Sequence, residues 1–427
     1  MPCTKATLSA HTDRRFIRST SRSSRFILAE INAPHAHEQA NRTRPAVNLA
    51  FVLDRSGSMA GEKIALAKQA VVSALGHLNA GDRFSVVVYD DVIDVVIPST
   101  QATASAKSDA IALIGRIDAR NQTNLGEGWL RGCEQVARHL NNDGVNRTLL
   151  LTDGLANVGI TNHDELATHA AELRNRGVQT TTFGVGSDFN EVLLQAMANA
   201  GGGNYYYIAD SKQITDYITS EVGEALDVVA RDVVLEIQTP EGVAVESLTP
   251  FPFEQRDGRT TVNLGSLVAE QVVQVVLRLN FPLQEIGRET GAVLSLSARD
   301  EAAEDTSHPI SWTYADSKTN DLQERNAEVD RAVASVFASR ARQEATAFNR
   351  DGNFPAAQAA LAAVAKRIRS YAGRDPQMRE LIAELETEQS ALAAPMPAAA
   401  LKEMHFRSYA SAKMRNLDGT AFRRPHK

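Results

Sequence analysis

The feature that most constrains this chain runs from Val47 to about Val222, where short apolar runs alternate with helical patterns. Val47–Leu53 (VNLAFVL) is nearly all apolar, as a strand covered on both faces must be. A helical stretch follows with Ile64, Ala67, Val71, Ala74, Leu75 and Leu78 on one face, until Gly81-Asp82 breaks it. Phe84–Tyr89, Thr148–Thr152, Val178–Phe183 and Tyr205–Ile208 read as further strands. Asp90-Asp91 reads as a tight turn into Val92–Ile97, an antiparallel edge strand. Helical stretches around Ile114, Trp129, Leu166 and Val192 lie between the strands. Strands separated in this way require right-handed crossovers and a mostly parallel sheet. The expectation is a doubly wound, Rossmann-like α/β domain over residues 45–226.

Helical periodicity disappears near Asp227. From 227 to 318 short alternating strands follow one another, among them Val233–Gln238, Val272–Asn280 and Val293–Ala298, and predict an all-β sandwich. Residues 1–44 hold two more strand-like runs, around Ala6–His11 and Phe26–Ile31. An isolated hairpin is marginal in water. These strands are therefore expected to join the β region, with the α/β domain inserted between them in sequence. Residues 319–392 return to helical spacing (Val329, Val333, Val336, Phe337; Ala357, Leu361, Val364, Ile368) and read as a helical hairpin region. Its turn at Gly352-Asn353-Phe354 resembles a tetratricopeptide-type hairpin, without a repeat. Residues 393–427 are expected to be a low-complexity linker and a basic tail.

Composition excludes several classes. With 43% hydrophobic and 23% charged residues among 427, the chain has ample material for buried cores. A net charge of -7 offers no chain-wide basic field, which disfavours a nucleic-acid partner. Two cysteines, Cys3 and Cys133, cannot form a disulfide framework. No apolar run is long enough to span a bilayer, so no membrane role is expected. The Ser/Arg-rich start lacks the apolar stretch of a secretory signal, and a cytoplasmic location is the expectation.

The chemistry gathers in three loops expected at the carboxyl ends of strands. Asp54-Arg55-Ser56-Gly57-Ser58 follows the first buried strand, Thr123-Asn124 precedes the Trp129 helix, and Asp153-Gly154 follows Thr148–Thr152. In an open α/β sheet these ends form the ligand crevice. Asp54 and Asp153 would meet there beside the hydroxyls of Ser56, Ser58 and Thr123. Two carboxylates and three hydroxyls are hard oxygen donors, suited to Mg²⁺ or Mn²⁺ and poorly to zinc. Five such side chains are not expected to fill all six positions of an octahedron directly; with some carboxylates acting through water, one position stays open for an incoming carboxylate, and the helix starting near Gly61 turns its positive end the same way.

Here the sequence resembles von Willebrand factor type A domains. Asp54-x-Ser56-x-Ser58, Thr123 and Asp153 match that family's metal-ion-dependent adhesion site, within VLDRSGSMAGEKIALAK, QTNLGEG and LLTDG. The flanking β and helical regions are similar to the arrangement in bacterial proteins of this type and in inter-alpha-trypsin inhibitor heavy chains. The resemblance implies divalent-cation-dependent binding of a protein partner that supplies an Asp or Glu to the metal. Some bacterial members work beside MoxR-type ATPases, so a scaffold or adaptor with a structural metal is the alternative. A metal-dependent hydrolase has less support, because position 56 is serine where a phosphotransferase carries its second Asp, and no GxSxG or HExxH occurs. The sequence does not set the oligomeric state.

Other residues carry two readings. Asn124 either bonds the site's loops or caps the next helix. Asp90-Asp91 is a second cation site or, more simply, a hairpin turn. Cys133, Trp129 and Tyr205-Tyr206-Tyr207 read as packing residues, and Gly201-Gly202-Gly203 as a turn.

Overall fold

The computed structural model describes residues 5–35, 44–120 and 122–424 and divides them into two units. Cys3 and the last three residues of the basic tail lie outside the described residues.

One unit contains residues 44–228 together with 418–420. Its sheet has six strands in the order Ile93–Gln101, Arg83–Tyr89, Val47–Asp54, Val145–Thr152, Gln179–Val185, Gly202–Ile208. The pairs from Arg83–Tyr89 through to Gly202–Ile208 are all parallel. Ile93–Gln101 is the antiparallel edge that the Asp90-Asp91 turn predicts. Both central strands, Val47–Asp54 and Val145–Thr152, are buried along their whole length, which accounts for their continuous apolar runs.

Register sets the site. Leu53 lies opposite Leu151 and Asp54 opposite Tyr89, so the two central strands end side by side, Asp54 next to Thr152-Asp153. The helix Leu125–Ala137 is pressed onto this end of the sheet by two glycines four residues apart. A methyl group at Gly128 would stand 2.5 Å from the Tyr89 ring, and one at Gly132 2.2 Å from Val52 Cγ2. Trp129 is fully buried and donates its indole N–H to Thr180 Oγ1 at 3.1 Å. Cys133, on the same helix, is a free buried thiol. The close seating of the helix carries its N-terminal residues, Thr123 and Asn124, to the carboxyl ends of the strands.

The other unit is made of the N-terminal strands, 229–417 and 421–424. A four-stranded sheet has the order Thr7–Thr12, Ser23–Asn32, Val272–Phe281, Ala244–Ser247. A six-stranded sheet has the order Phe253–Arg256, Arg259–Val268, Val228–Gln238, Glu289–Ser297, Ser307–Ala315, Phe16–Arg18. Ser23–Asn32 pairs with Val272–Phe281 over ten residues, across the whole inserted α/β segment. One core, including Ile27, Ile31, Val275, Leu235, Leu294 and Trp312, draws on both sheets. The strands Phe16–Arg18 and Phe253–Arg256 do not appear in the sequence reading. The first is three residues long, and the second (FEQR) is exposed at every position and so carries no apolar alternation.

The helices Ala327–Arg350, Phe354–Ala372, Pro376–Ala391 and Ala398–Ala412 complete this unit. The fourth corrects the reading of 393–427 as linker and tail. Within Ala398–Ala412, Leu401, Phe406 and Tyr409 are buried, and Leu401 joins the core of the preceding helices. The positive charge of the segment and its Ala/Pro-rich lead obscure this apolar face. No helix among the described residues is long and apolar enough to cross a membrane.

Candidate metal centre

Asp54 ends the central strand and is fully buried. Its Oδ1 accepts the Ser56 backbone N–H at 2.8 Å, and its Oδ2 accepts the Thr152 hydroxyl at 2.7 Å. Burial pushes the Asp54 carboxyl up to about 6, against the lowering effect of the hydrogen bonds from Ser56 and Thr152. Tyr89 lies opposite Asp54 on the neighbouring strand. It is wholly buried, its hydroxyl donates to the Leu151 carbonyl at 3.3 Å, and burial raises its own ionisation well above the usual tyrosine value. A carboxylate buried in this way lacks water to share its charge.

The other donors converge on it. Ser56 Oγ and Ser58 Oγ are 3.1 Å apart, on the same side of the loop as their spacing predicts. Ser58 Oγ donates to Asp153 Oδ1 at 2.7 Å. Thr123 is held from the far side: its N–H donates to Asn157 Oδ1 at 3.2 Å, and its carbonyl accepts the Asn157 N–H at 3.4 Å. The missing side chain of Gly154 measures where Thr123 points. A Cβ there would lie 3.5 Å from Thr123 Oγ1 and 3.9 Å from Ser58 Oγ. The structure thus brings together all five residues singled out in the sequence, with a cradle beside Gly154 between the hydroxyls. Asp54, Ser56, Thr123 and Asp153 are buried and Ser58 is exposed, so the cluster opens to solvent on the serine side.

This donor set fits a hard divalent cation. Two carboxylates supply charge, three hydroxyls supply neutral oxygen, and Mg²⁺ or Mn²⁺ tolerates waters in the remaining positions. Among the described residues no group of three or more His, Cys, Asp or Glu side chains is placed to hold a metal ion, so this donor set depends on its hydroxyls beside the two carboxylates.

Asp90 has a different role. Its carboxylate accepts the Val92 N–H at 2.7 Å and is paired with Arg55 at 3.2 Å and Arg120 at 2.5 Å. Both arginines also reach Asp94, at 2.5 and 3.3 Å. Burial alone would raise the Asp90 carboxyl, but Arg120, the Val92 amide and Arg55 outweigh it and hold it below the usual carboxylate value. Two guanidinium groups occupy the place a second cation would need, so Asp90 is a turn residue and an anchor. The Asp90 carbonyl accepts the Asn124 N–H at 2.8 Å, and the Arg55 carbonyl accepts the Arg120 N–H at 2.7 Å, which ties the Thr123 loop to the Asp54 loop. The Asn124 side chain takes the capping reading. Its Oδ1 caps the helix at Glu127 N, and a methyl at Gly159 would press against it at 2.4 Å.

Four positions escaped the sequence reading: Thr152, Asn157, Arg120 and Lys63. Lys63 Nζ stands 2.5 Å from Asp153 Oδ2. Its signal was present, because a lysine in the first turn of a helix (Glu62–His77) opposes the helix dipole unless an acid stands near.

Residues 48–220 match the family model described as von Willebrand factor type A domain. The uncharacterized protein YfbK of Escherichia coli K12 is 29% identical over 300 residues, which cover 68% of this chain and 52% of that protein. The inter-alpha-trypsin inhibitor heavy chain H1 of Mesocricetus auratus is 29% identical over 245 residues, 55% of this chain and 26% of that protein. The chain thus spans about half the length of the first relative and about a quarter of the second. Among solved structures, a von Willebrand factor type A protein from Catenulispora acidiphila superposes with a TM-score of 0.72 at 17% identity, over 99% of this chain and 98% of that one. The ArnB paralog VWA2 from Sulfolobus acidocaldarius gives 0.60 at 16% identity, over 96% and 99%. At such identities the two structures bear on the fold alone.

Proposed function

Starting from residues 48–220 as a von Willebrand factor type A domain, we propose that this chain is a divalent-cation-dependent protein-binding module. Such domains are often metal-dependent protein-interaction modules. In this reading Asp54, Ser56, Ser58, Thr123 and Asp153 hold Mg²⁺ or Mn²⁺, and an Asp or Glu of a partner protein completes the coordination from the solvent side. The supporting observation is the convergence of these oxygen donors, from three separate loops, around the space beside Gly154. The metal supplies a Lewis-acidic anchor for a carboxylate. The protein's part is to hold the donors: Thr152 and the Ser56 amide orient Asp54, and Asn157 orients Thr123. Ser58 orients Asp153. The described donor loops Asp54–Ser58, Thr123–Asn124 and Asp153–Gly154 contain no histidine to serve as a general base, which favours binding over hydrolysis.

Capture of binding proteins from the native lysate, with the full chain as bait, tests the reading. Asp54→Ala and EDTA are each expected to abolish the same captured species, and Mn²⁺ to restore it only to the wild type. Capture indifferent to both EDTA and Asp54→Ala would assign the contacts to other surfaces and leave the chain a scaffold.

A further inference from the structure

We propose that Lys63 is a tethered counter-cation of the metal site. It holds Asp153 until a divalent ion binds, weakens the grip on that ion, and strengthens the bound ion's attraction for an acidic partner. The inference rests on the metal-site reading above and concerns a residue outside the five donors.

The geometry is specific. Lys63 Nζ lies 2.5 Å from Asp153 Oδ2, while Asp153 Oδ1 takes the Ser58 hydroxyl. The Asp153 side chain is fully buried and that of Lys63 is 30% exposed, so the ammonium comes to the carboxylate from the solvent side. It does so from the first turn of Glu62–His77, where the helix dipole disfavours a cation. A methyl at Gly186 would lie 3.9 Å from Nζ, so the loop after Gln179–Val185 leaves the ammonium room.

Charge arithmetic gives the consequence. The Asp54 and Asp153 carboxylates with the Lys63 ammonium carry one net negative charge. A divalent ion turns this into one net positive charge, which favours an incoming carboxylate. Without Lys63 the loaded site is neutral and that preference is lost. The same ammonium repels the divalent ion as it binds. Lys63 therefore acts with opposite sign on two steps: weaker metal, stronger acid.

The test uses the full chain and Mn²⁺ alone, titrated by calorimetry at low salt into the wild type, Lys63→Met, Lys63→Gln, Lys63→Arg and Asp54→Ala. Lys63→Met and Lys63→Gln are expected to bind Mn²⁺ about tenfold or more tightly than the wild type. Lys63→Arg, which keeps the charge, is expected to stay near the wild type, and the gap should shrink as salt is added. Acetate is then titrated into Mn²⁺-loaded protein and followed by water-proton relaxation. It should bind the two neutral variants at least about threefold more weakly. Unchanged Mn²⁺ affinity in both neutral variants overturns the proposal. Absence of Mn²⁺ binding in the wild type, as in Asp54→Ala, overturns the metal-site reading itself, so the two failures are told apart.

Discussion

The Thr152 hydroxyl donates to Asp54 Oδ2 at 2.7 Å, from the strand that runs beside the one Asp54 ends. The second buried strand thus neutralises part of the charge that the first delivers. Thr152→Val keeps the shape and removes the donor, so the buried Asp54 Oδ2 loses this hydrogen bond. A loss of about 1–3 kcal/mol is expected in EDTA, read from urea unfolding. A variant as stable as the wild type would mean that Asp54 does not need this bond.

Gly154 separates stability from metal binding. An added methyl would meet Thr123 Oγ1 and Ser58 Oγ at ordinary contact distances, so the fold has room for it. Gly154→Ala is therefore expected to melt within about 0.5 kcal/mol of the wild type in EDTA. The methyl takes the space between the hydroxyls. The wild type should gain about 2.7 kcal/mol at a hundred times the dissociation constant of Mn²⁺, and Gly154→Ala clearly less at the same concentration, by differential scanning calorimetry.

The two arginines on Asp90 differ in consequence. Arg120 is about half exposed, so water already shares its charge, and Arg120→Ala is expected to cost clearly less stability than Asp90→Ala. Asp90→Ala leaves the buried Arg55 without that partner and should lose about 3–5 kcal/mol. Chemical denaturation of both variants checks the order, and equal losses would contradict the anchoring role of Asp90.

Asp82 gives this unit an acid-sensitive joint. It accepts two guanidinium N–H groups of Arg44, at 2.9 and 2.6 Å, and the amides of Val47 and Asn79. Burial alone would raise its carboxyl, but these partners outweigh it and hold the carboxyl below its ordinary value. A lowered carboxyl stabilises the fold at pH above the unfolded value of about 4, and the contribution fades as pH falls from there through the folded value. Asp82→Asn is expected to be less stable by about 1.5–3 kcal/mol at pH 7 and to show a flatter loss of stability below pH 4. Urea midpoints between pH 2.5 and 7 measure the difference.

Much of this was legible in the chain itself. Continuous apolar runs marked the two central strands because both of their faces are covered, and turn residues directly after them marked where the donors emerge. Leu53 opposite Leu151, which sets Asp54 beside Thr152, was not legible, since register between strands about a hundred residues apart leaves no local trace. Asn157 lay hidden for the same reason: its bond to Thr123 joins two loops that have no periodicity to read. Phe253–Arg256 and Ala398–Ala412 were missed because exposure removes alternation from the one and charge masks the apolar face of the other.

The pairing of Ser23–Asn32 with Val272–Phe281 has a bearing on biosynthesis. Gln274 donates to Glu30 across 244 positions of sequence, so a ribosome must deliver the intervening chain before the early strand finds its neighbour on that side. The inserted unit, built from near-neighbour crossovers, can condense meanwhile. Until the late strand emerges, a nascent edge bearing Ile27, Ala29 and Ile31 is open to wrong pairing. Slow delivery of the middle of this chain would therefore burden chaperones more than slow delivery of its end.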